Sequence, residues 1–138
     1  MHFPAPQILL AMAAAIPLTH TAAPAQQSQD AAVPAKLAGA LSGRVPGPAQ
    51  RCITKFRTTK VRPIDDATIL YDQGSTIFVQ KPPGGCPGLT NGNYALETRS
   101  TNDQMCAGDA NDLVNLQTGL HGPVCIFGEF VPYTKPAG

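Results

Sequence analysis

Ala67-Thr68-Ile69-Leu70-Tyr71, Asp72-Gln73-Gly74 and Ser75-Thr76-Ile77-Phe78-Val79-Gln80 are the most legible stretch of the chain. Two runs rich in β-branched and aromatic residues flank a polar turn in which Gly74 can take a positive φ, and this predicts an antiparallel hairpin. The same signature continues on either side. Residues 52–58 alternate, with Cys52, Thr54, Phe56 and Thr58 on one face and Ile53, Lys55 and Arg57 on the other. Asn91-Gly92 precedes a strand over residues 94–99, and residues 124–131 read as the closing strand. Pro82-Pro83-Gly84-Gly85-Cys86-Pro87-Gly88 is a loop, because neither helix nor strand tolerates that density of Pro and Gly. Residues 110–117 are compatible with a single helical turn or a strand, and the reading favoured is a short irregular segment. Five to six short strands over residues 50–133 predict an all-β domain, a small antiparallel barrel or roll stapled by disulfides.

The chain is 138 residues long, with 14 Pro and 13 Gly, enough for one small domain and too short for a multidomain enzyme. Ten Lys and Arg against nine Asp and Glu leave a formal charge of +1, so bulk electrostatics offer no case for nucleic acid. Residues 1–25 carry no charged side chain, and Ile8-Leu9-Leu10-Ala11-Met12-Ala13-Ala14-Ala15-Ile16-Pro17-Leu18 is an apolar core too short to span a membrane as a helix. With small residues at Ala22, Ala23 and Ala25, it reads as a signal peptide cleaved after Thr21-Ala22-Ala23 or Ala23-Pro24-Ala25. The mature protein is then expected in the periplasm or the medium, without a transmembrane segment. Residues 26–49 are Ala, Pro and Gln-rich and read as a disordered tether, with at most a marginal helix over residues 35–41. Residues 134–138 read as a flexible tail.

Cys52, Cys86, Cys106 and Cys125 form an even set, as expected of disulfides in an oxidising compartment. Zinc would need close Cys pairs, and none is present. Four cysteines allow three connectivities. Cys52 falls on the first predicted strand and Cys125 on the last, while Cys86 and Cys106 fall in predicted loops. That placement favours the nested pairing Cys52 with Cys125 and Cys86 with Cys106.

No catalytic constellation stands out. His121, the only His after residue 25, lies in Leu120-His121-Gly122-Pro123 and reads as an exposed turn residue. Asp65 and Asp66 are adjacent on an extended chain, so they point apart and open a turn rather than share a site. Asp103, Asp109, Asn111 and Asp112 form an acidic loop beside Cys106. Counted from Asp109, the sixth and twelfth places hold Val114 and Leu120, where a calcium loop needs Gly and Glu. No metal or other cofactor is therefore expected. The strongest charge feature is Arg51, Lys55, Arg57, Lys60 and Arg62, with no acid among them. On one strand these would form an anion-binding stripe, or the charged edge that protects a strand from aggregation.

Arg51-Cys52-Ile53, Asp65-Asp66-Ala67-Thr68-Ile69-Leu70-Tyr71, Gly85-Cys86-Pro87-Gly88-Leu89, Cys106-Ala107-Gly108-Asp109 and Cys125-Ile126-Phe127-Gly128-Glu129-Phe130-Val131-Pro132-Tyr133 together resemble a family of small exported proteobacterial proteins filed as a domain of unknown function. The likeness covers residues 50–133. It implies a signal peptide, a compact disulfide-bearing domain and an envelope location, and it transfers no catalytic residue. The resulting expectation is a non-enzymatic periplasmic or secreted module that binds an anionic envelope component or a protein. The alternative is a small envelope enzyme or enzyme inhibitor using the basic stripe or the acidic loop.

Overall fold

The computed structural model describes residues 35–57 and 59–138. The expected signal peptide, residues 1–25, and residues 26–34 of the expected tether lie outside the described residues. The rest is all-β apart from one short helix, with ten strands in three sheets rather than one closed barrel of five or six. Helix α1 spans Ala35–Ala40 and strand β1 Val45–Pro46. They are followed by β2 (Cys52–Thr54), β3 (Lys60–Asp65), β4 (Thr68–Asp72), β5 (Thr76–Gln80) and β6 (Tyr94–Thr98). The last four are β7 (Gln104–Cys106), β8 (Ala110–Asn115), β9 (His121–Ile126) and β10 (Phe130–Thr134). The sheets have the orders β1-β10-β5-β4-β3, β2-β7 and β6-β8-β9, and every pairing is antiparallel.

The predicted hairpin is β4–β5. Asp72 Oδ1 accepts from Gly74 N at 2.9 Å, and Gly74 has φ 84°, a conformation that costs an L side chain but not glycine. The hairpin is apolar on both faces. Ile69, Tyr71 and Phe78 join a core with Ile53, Met105, Leu113, Phe127 and Phe130, while Leu70, Ile77 and Val79 pack on the opposite side against Leu37. Tyr71, Phe127 and Phe130 meet edge to face, with ring centroids 5.7–6.0 Å apart. This favourable quadrupole geometry gives the core an aromatic centre without Trp.

The second half of the presumed tether is part of the fold. Leu37 of α1 is buried over the outer face of the hairpin, and β1 pairs with β10. Arg44 donates to the carbonyls of Ser75 (2.7 Å), Gly74 (3.0 Å) and Tyr133 (3.3 Å). The composition of residues 35–49 misleads because one leucine and one arginine carry the attachment. The helix forms where the marginal one was expected, stabilised by packing that an isolated six-residue helix lacks.

Three further expectations are corrected. The strand over residues 52–58 stops at Thr54, and its buried residue is Ile53. A separate strand, β3, follows; Lys60, Arg62 and Pro63 disguise it, yet all three are tolerated because β3 is a sheet edge. Within residues 110–117, Ala110–Asn115 form β8, the central strand of its sheet, with Asn111, Asp112 and Leu113 buried, in place of the irregular segment favoured from the sequence. The closing strand over residues 124–131 is two strands in different sheets. The chain crosses between them at Gly128, where a Cβ would stand 2.5 Å from the Lys81 carbonyl oxygen, so only glycine fits.

The disulfides are Cys52–Cys106 and Cys86–Cys125, not the nested pairs. Cys106 is a strand residue facing Cys52 across β2–β7, whereas Cys52 is not on the strand that closes the large sheet. β1 fills that place. The bridges cross in sequence, with separations of 54 and 39 residues.

Two outcomes test this architecture. Non-reducing peptide mapping should recover Cys52 linked to Cys106 and Cys86 linked to Cys125, and the double variant Cys52→Ala/Cys106→Ala should lose up to about 4 kcal/mol in chemical denaturation. Leu37→Ala should cost roughly 2–4 kcal/mol by the same measurement, because it empties the outer face of the hairpin.

Candidate functional site

Because the sheets do not close on one another, a groove of about 580 Å³ opens beside the β2–β7 ribbon, walled by two edge strands, β3 and β6. Val61 and Pro63 line one wall, and Tyr94 and Leu96 the other. Buried Tyr71, Leu89 and Met105 form the floor. Val61 faces Tyr71 across the β3–β4 ladder, so the pleat turns both to the same side. The rim is the segment after β2, where Lys55, Phe56 and Arg57 are exposed, together with Asp103. Phe56 leaves 54% of its surface to solvent, an unusual placement for a large aromatic residue.

Asp66 holds the floor in position. Its carboxylate accepts from Gly88 N (2.9 Å), Thr90 N (2.9 Å) and Thr90 Oγ1 (2.6 Å), and its carbonyl accepts from Cys86 N. The loop carrying Leu89 is thereby fastened to the β3–β4 turn. These hydrogen bonds, the Thr90 hydroxyl first, hold the Asp66 carboxyl below its ordinary value of 3.8. Asp65 instead caps its own turn through Ala67 N at 2.8 Å, so the two acids serve separate turns, as adjacent residues on an extended chain should.

One polar group on the floor is unmatched. Tyr71 is 1% exposed, and its hydroxyl has no hydrogen-bond partner among the described residues. Burial pushes its ionisation well above the usual phenol value, so it remains a neutral O–H that can donate and accept.

The basic stripe does not form as one surface. Lys55 and Arg57 stand at the groove, and neither has a carboxylate within ion-pair distance among the described residues. Lys60 lines a separate hollow of about 330 Å³ with Arg44, Asp72, Gln73 and Gly74. Arg62, on the same edge strand as Lys60, pairs with Asp72 of β4 at 3.6 Å. Arg51 lies at the bend before β2, where its carbonyl accepts from Ala107 N. The break at Thr54 disperses the five, and spacing alone could not show it.

The acidic loop is also dispersed. Asp109 caps Cys106 N at 2.7 Å, Asn111 is buried and donates to the Asp109 carbonyl, and Asp103 sits on the groove rim. Asp112 joins a cluster that the sequence reading missed. Glu97 faces Asp112 across β6–β8, and His121 of β9 brings Nδ1 to 3.3 Å from Asp112 and 3.7 Å from Glu97. Their ligating atoms lie within 4.8 Å of one another, a set that could hold a cation. Arg99 already supplies positive charge there, with Nε 2.5 Å from Asp112 Oδ2. Only strand register unites these residues, so sequence spacing held no signal for them. His121 is exposed, as expected, but opens a strand instead of sitting in a turn.

No family model, curated protein or solved structure matches the chain. Among the described residues, no helix is long and apolar enough to cross a membrane.

The Asp66 geometry carries a pH prediction. A carboxyl whose pKa is depressed by folding stabilises the fold above its unfolded value, and that contribution disappears as pH falls through the folded value. The urea midpoint of Asp66→Ala should therefore lie below that of the parent at neutral pH, and the gap should shrink as pH drops below about 4.

Proposed function

We propose that this chain is an exported, non-enzymatic binding module that holds an anionic component of the cell envelope in the groove between β3 and β6. The carrying observation is the pair Lys55 and Arg57, two cations without carboxylate partners among the described residues, at the mouth of an apolar hollow. The hollow has the size of small-molecule sites, which run from roughly 300 to 1,000 Å³. In such a place an anion gains from charge-assisted hydrogen bonds, while its apolar portion leaves water. Export is supported by the apolar, uncharged leader and by four cysteines paired in two bridges. The resemblance to small exported proteobacterial proteins points the same way.

A protein docked on a continuous basic face is less well supported, because the five bases are divided among the groove, a second hollow, an ion pair and a bend. One observation favours the enzyme reading, the meeting of His121 with Glu97 and Asp112. Arg99 occupies the same carboxylate, and no nucleophile stands among the three.

Native mass spectrometry of protein recovered from a bacterial periplasm tests the proposal. The parent should carry a bound anionic small molecule, with occupancy at least about tenfold lower in Lys55→Glu/Arg57→Glu, given the usual strength of charged hydrogen bonds. Arg51→Glu/Lys60→Glu alters the charge equally outside the groove and should retain the ligand. Equal occupancy in both variants would sink the proposal.

A further inference from the structure

In the β6-β8-β9 sheet, register sets Glu97, Asp112 and Val124 in one row across the three strands. That row faces away from Leu96 and Leu113, which turn toward the core and, for Leu96, the groove. We propose that Glu97, Asp112 and His121 form a binding site for a divalent first-row transition ion such as zinc, and that Arg99 is a stand-in cation which the metal displaces.

Three observations support the site. First, the spacing suits one small ion. His121 Nδ1 stands 3.3 Å from Asp112 Oδ2 and 3.7 Å from Glu97 Oε2, and all three ligating atoms lie within 4.8 Å of one another. Zinc bonds to imidazole nitrogen and carboxylate oxygen of about 2.0–2.2 Å separate two ligands of a tetrahedral ion by roughly 3.3–3.6 Å. The Asp112–His121 edge already has that length, and a small rotation of the half-exposed Glu97 side chain supplies the other. One imidazole with two carboxylates suits such an ion, whereas calcium takes about six to eight oxygens. Second, Asp112 is 8% exposed on the central strand, and among the described residues no donor meets its Oδ2 with hydrogen-bond geometry. That oxygen is nonetheless aimed into the cluster, with Arg99 Nε at 2.5 Å and His121 Nδ1 at 3.3 Å. A buried carboxylate is costly unless its charge and its lone pairs are both engaged, and a metal ion engages both. Third, Glu97 and Asp112 are direct cross-strand partners, and like charges in that position destabilise a sheet. A dication held between them removes that repulsion.

Arg99 supplies part of the same neutralisation. It follows the end of β6, and its guanidinium stands over Asp112 Oδ2 and brings Nη2 to 3.4 Å from His121 Nδ1. Its side chain is 61% exposed, so it can swing into water, and an exposed pair of this kind holds weakly. Its departure uncovers the buried oxygen. The exchange replaces one positive charge by two and leaves two carboxylates, a dication and a neutral His121, which coordinates through Nδ1 and keeps its proton on Nε2. Glu97 and His121 are both half-exposed, so the ion enters from solvent and water fills its remaining position.

Calorimetric titration of zinc chloride into the full-length oxidised protein tests the site, with cobalt(II) as a coloured second probe. His121→Gln and Glu97→Gln change exposed side chains and spare the core, and each should weaken zinc binding at least about tenfold. His2→Gln/His20→Gln, which removes the other two histidines of the chain, should bind zinc as the parent does. Arg99→Gln should bind zinc about three- to fivefold tighter, because no ion pair has to open first. Zinc should raise the melting temperature of the parent and leave that of His121→Gln unchanged. Cobalt(II) should give the parent visible absorption bands that added zinc abolishes. Equal zinc affinity in the parent and His121→Gln, or a preference for calcium over zinc, would overturn the site. Unchanged or weaker zinc binding by Arg99→Gln would overturn the displacement of Arg99.

Discussion

The fold depends on a hairpin that cannot tolerate water on either side. β4 and β5 bury Ile69, Tyr71 and Phe78 on one face and Leu70, Ile77 and Val79 on the other, so the hairpin is stable only when covered twice. A sheet with one wet face would expose several large apolar side chains, each worth about 1.5–3 kcal/mol of burial. The second cover comes from α1 and the segment leading to β1. For that reason a stretch with the composition of a linker is ordered, pinned by Leu37 and by Arg44 on three carbonyls.

On the inner face the covering material comes from distant parts of the chain, and the disulfides are arranged accordingly. Cys52–Cys106 joins the two strands of a short ribbon, and Cys86–Cys125 ties the loop beneath the hairpin to β9. Because the bridges cross in sequence, residues 86–106 lie within both closed loops. That segment includes Leu89, Tyr94 and Leu96, which shape the groove. The constraints that stabilise a small core without Trp thus also set the walls of the candidate site.

The groove follows from the same arrangement. Three sheets meeting around one aromatic centre leave their edges unjoined, and the gap between β3 and β6 is lined by whatever those edges present. β3 presents Lys60 and Arg62 away from the groove and Val61 and Pro63 to it. Tyr71 belongs to both worlds: its ring is part of the aromatic centre, while its hydroxyl finds no partner within that centre.

Local pattern alone determined that the chain is all-β, that residues 68–80 form a hairpin turning at Gly74, that β6 follows Asn91-Gly92, and that the four cysteines pair off. Each of these depends on side chains near one another in sequence, where period and turn chemistry are visible. The tertiary structure alone decided which cysteines meet, that Lys60-Val61-Arg62-Pro63 is a strand, that buried Asn111 and Asp112 lie in a sheet centre, and that Glu97, Asp112 and His121 converge. It also split the five bases and left Lys55 and Arg57 at a groove that no spacing revealed. Those outcomes depend on long-range register and on edge or centre position within a sheet. Such choices belong to the whole set of strands competing for cover, and no single segment carries enough information to make them.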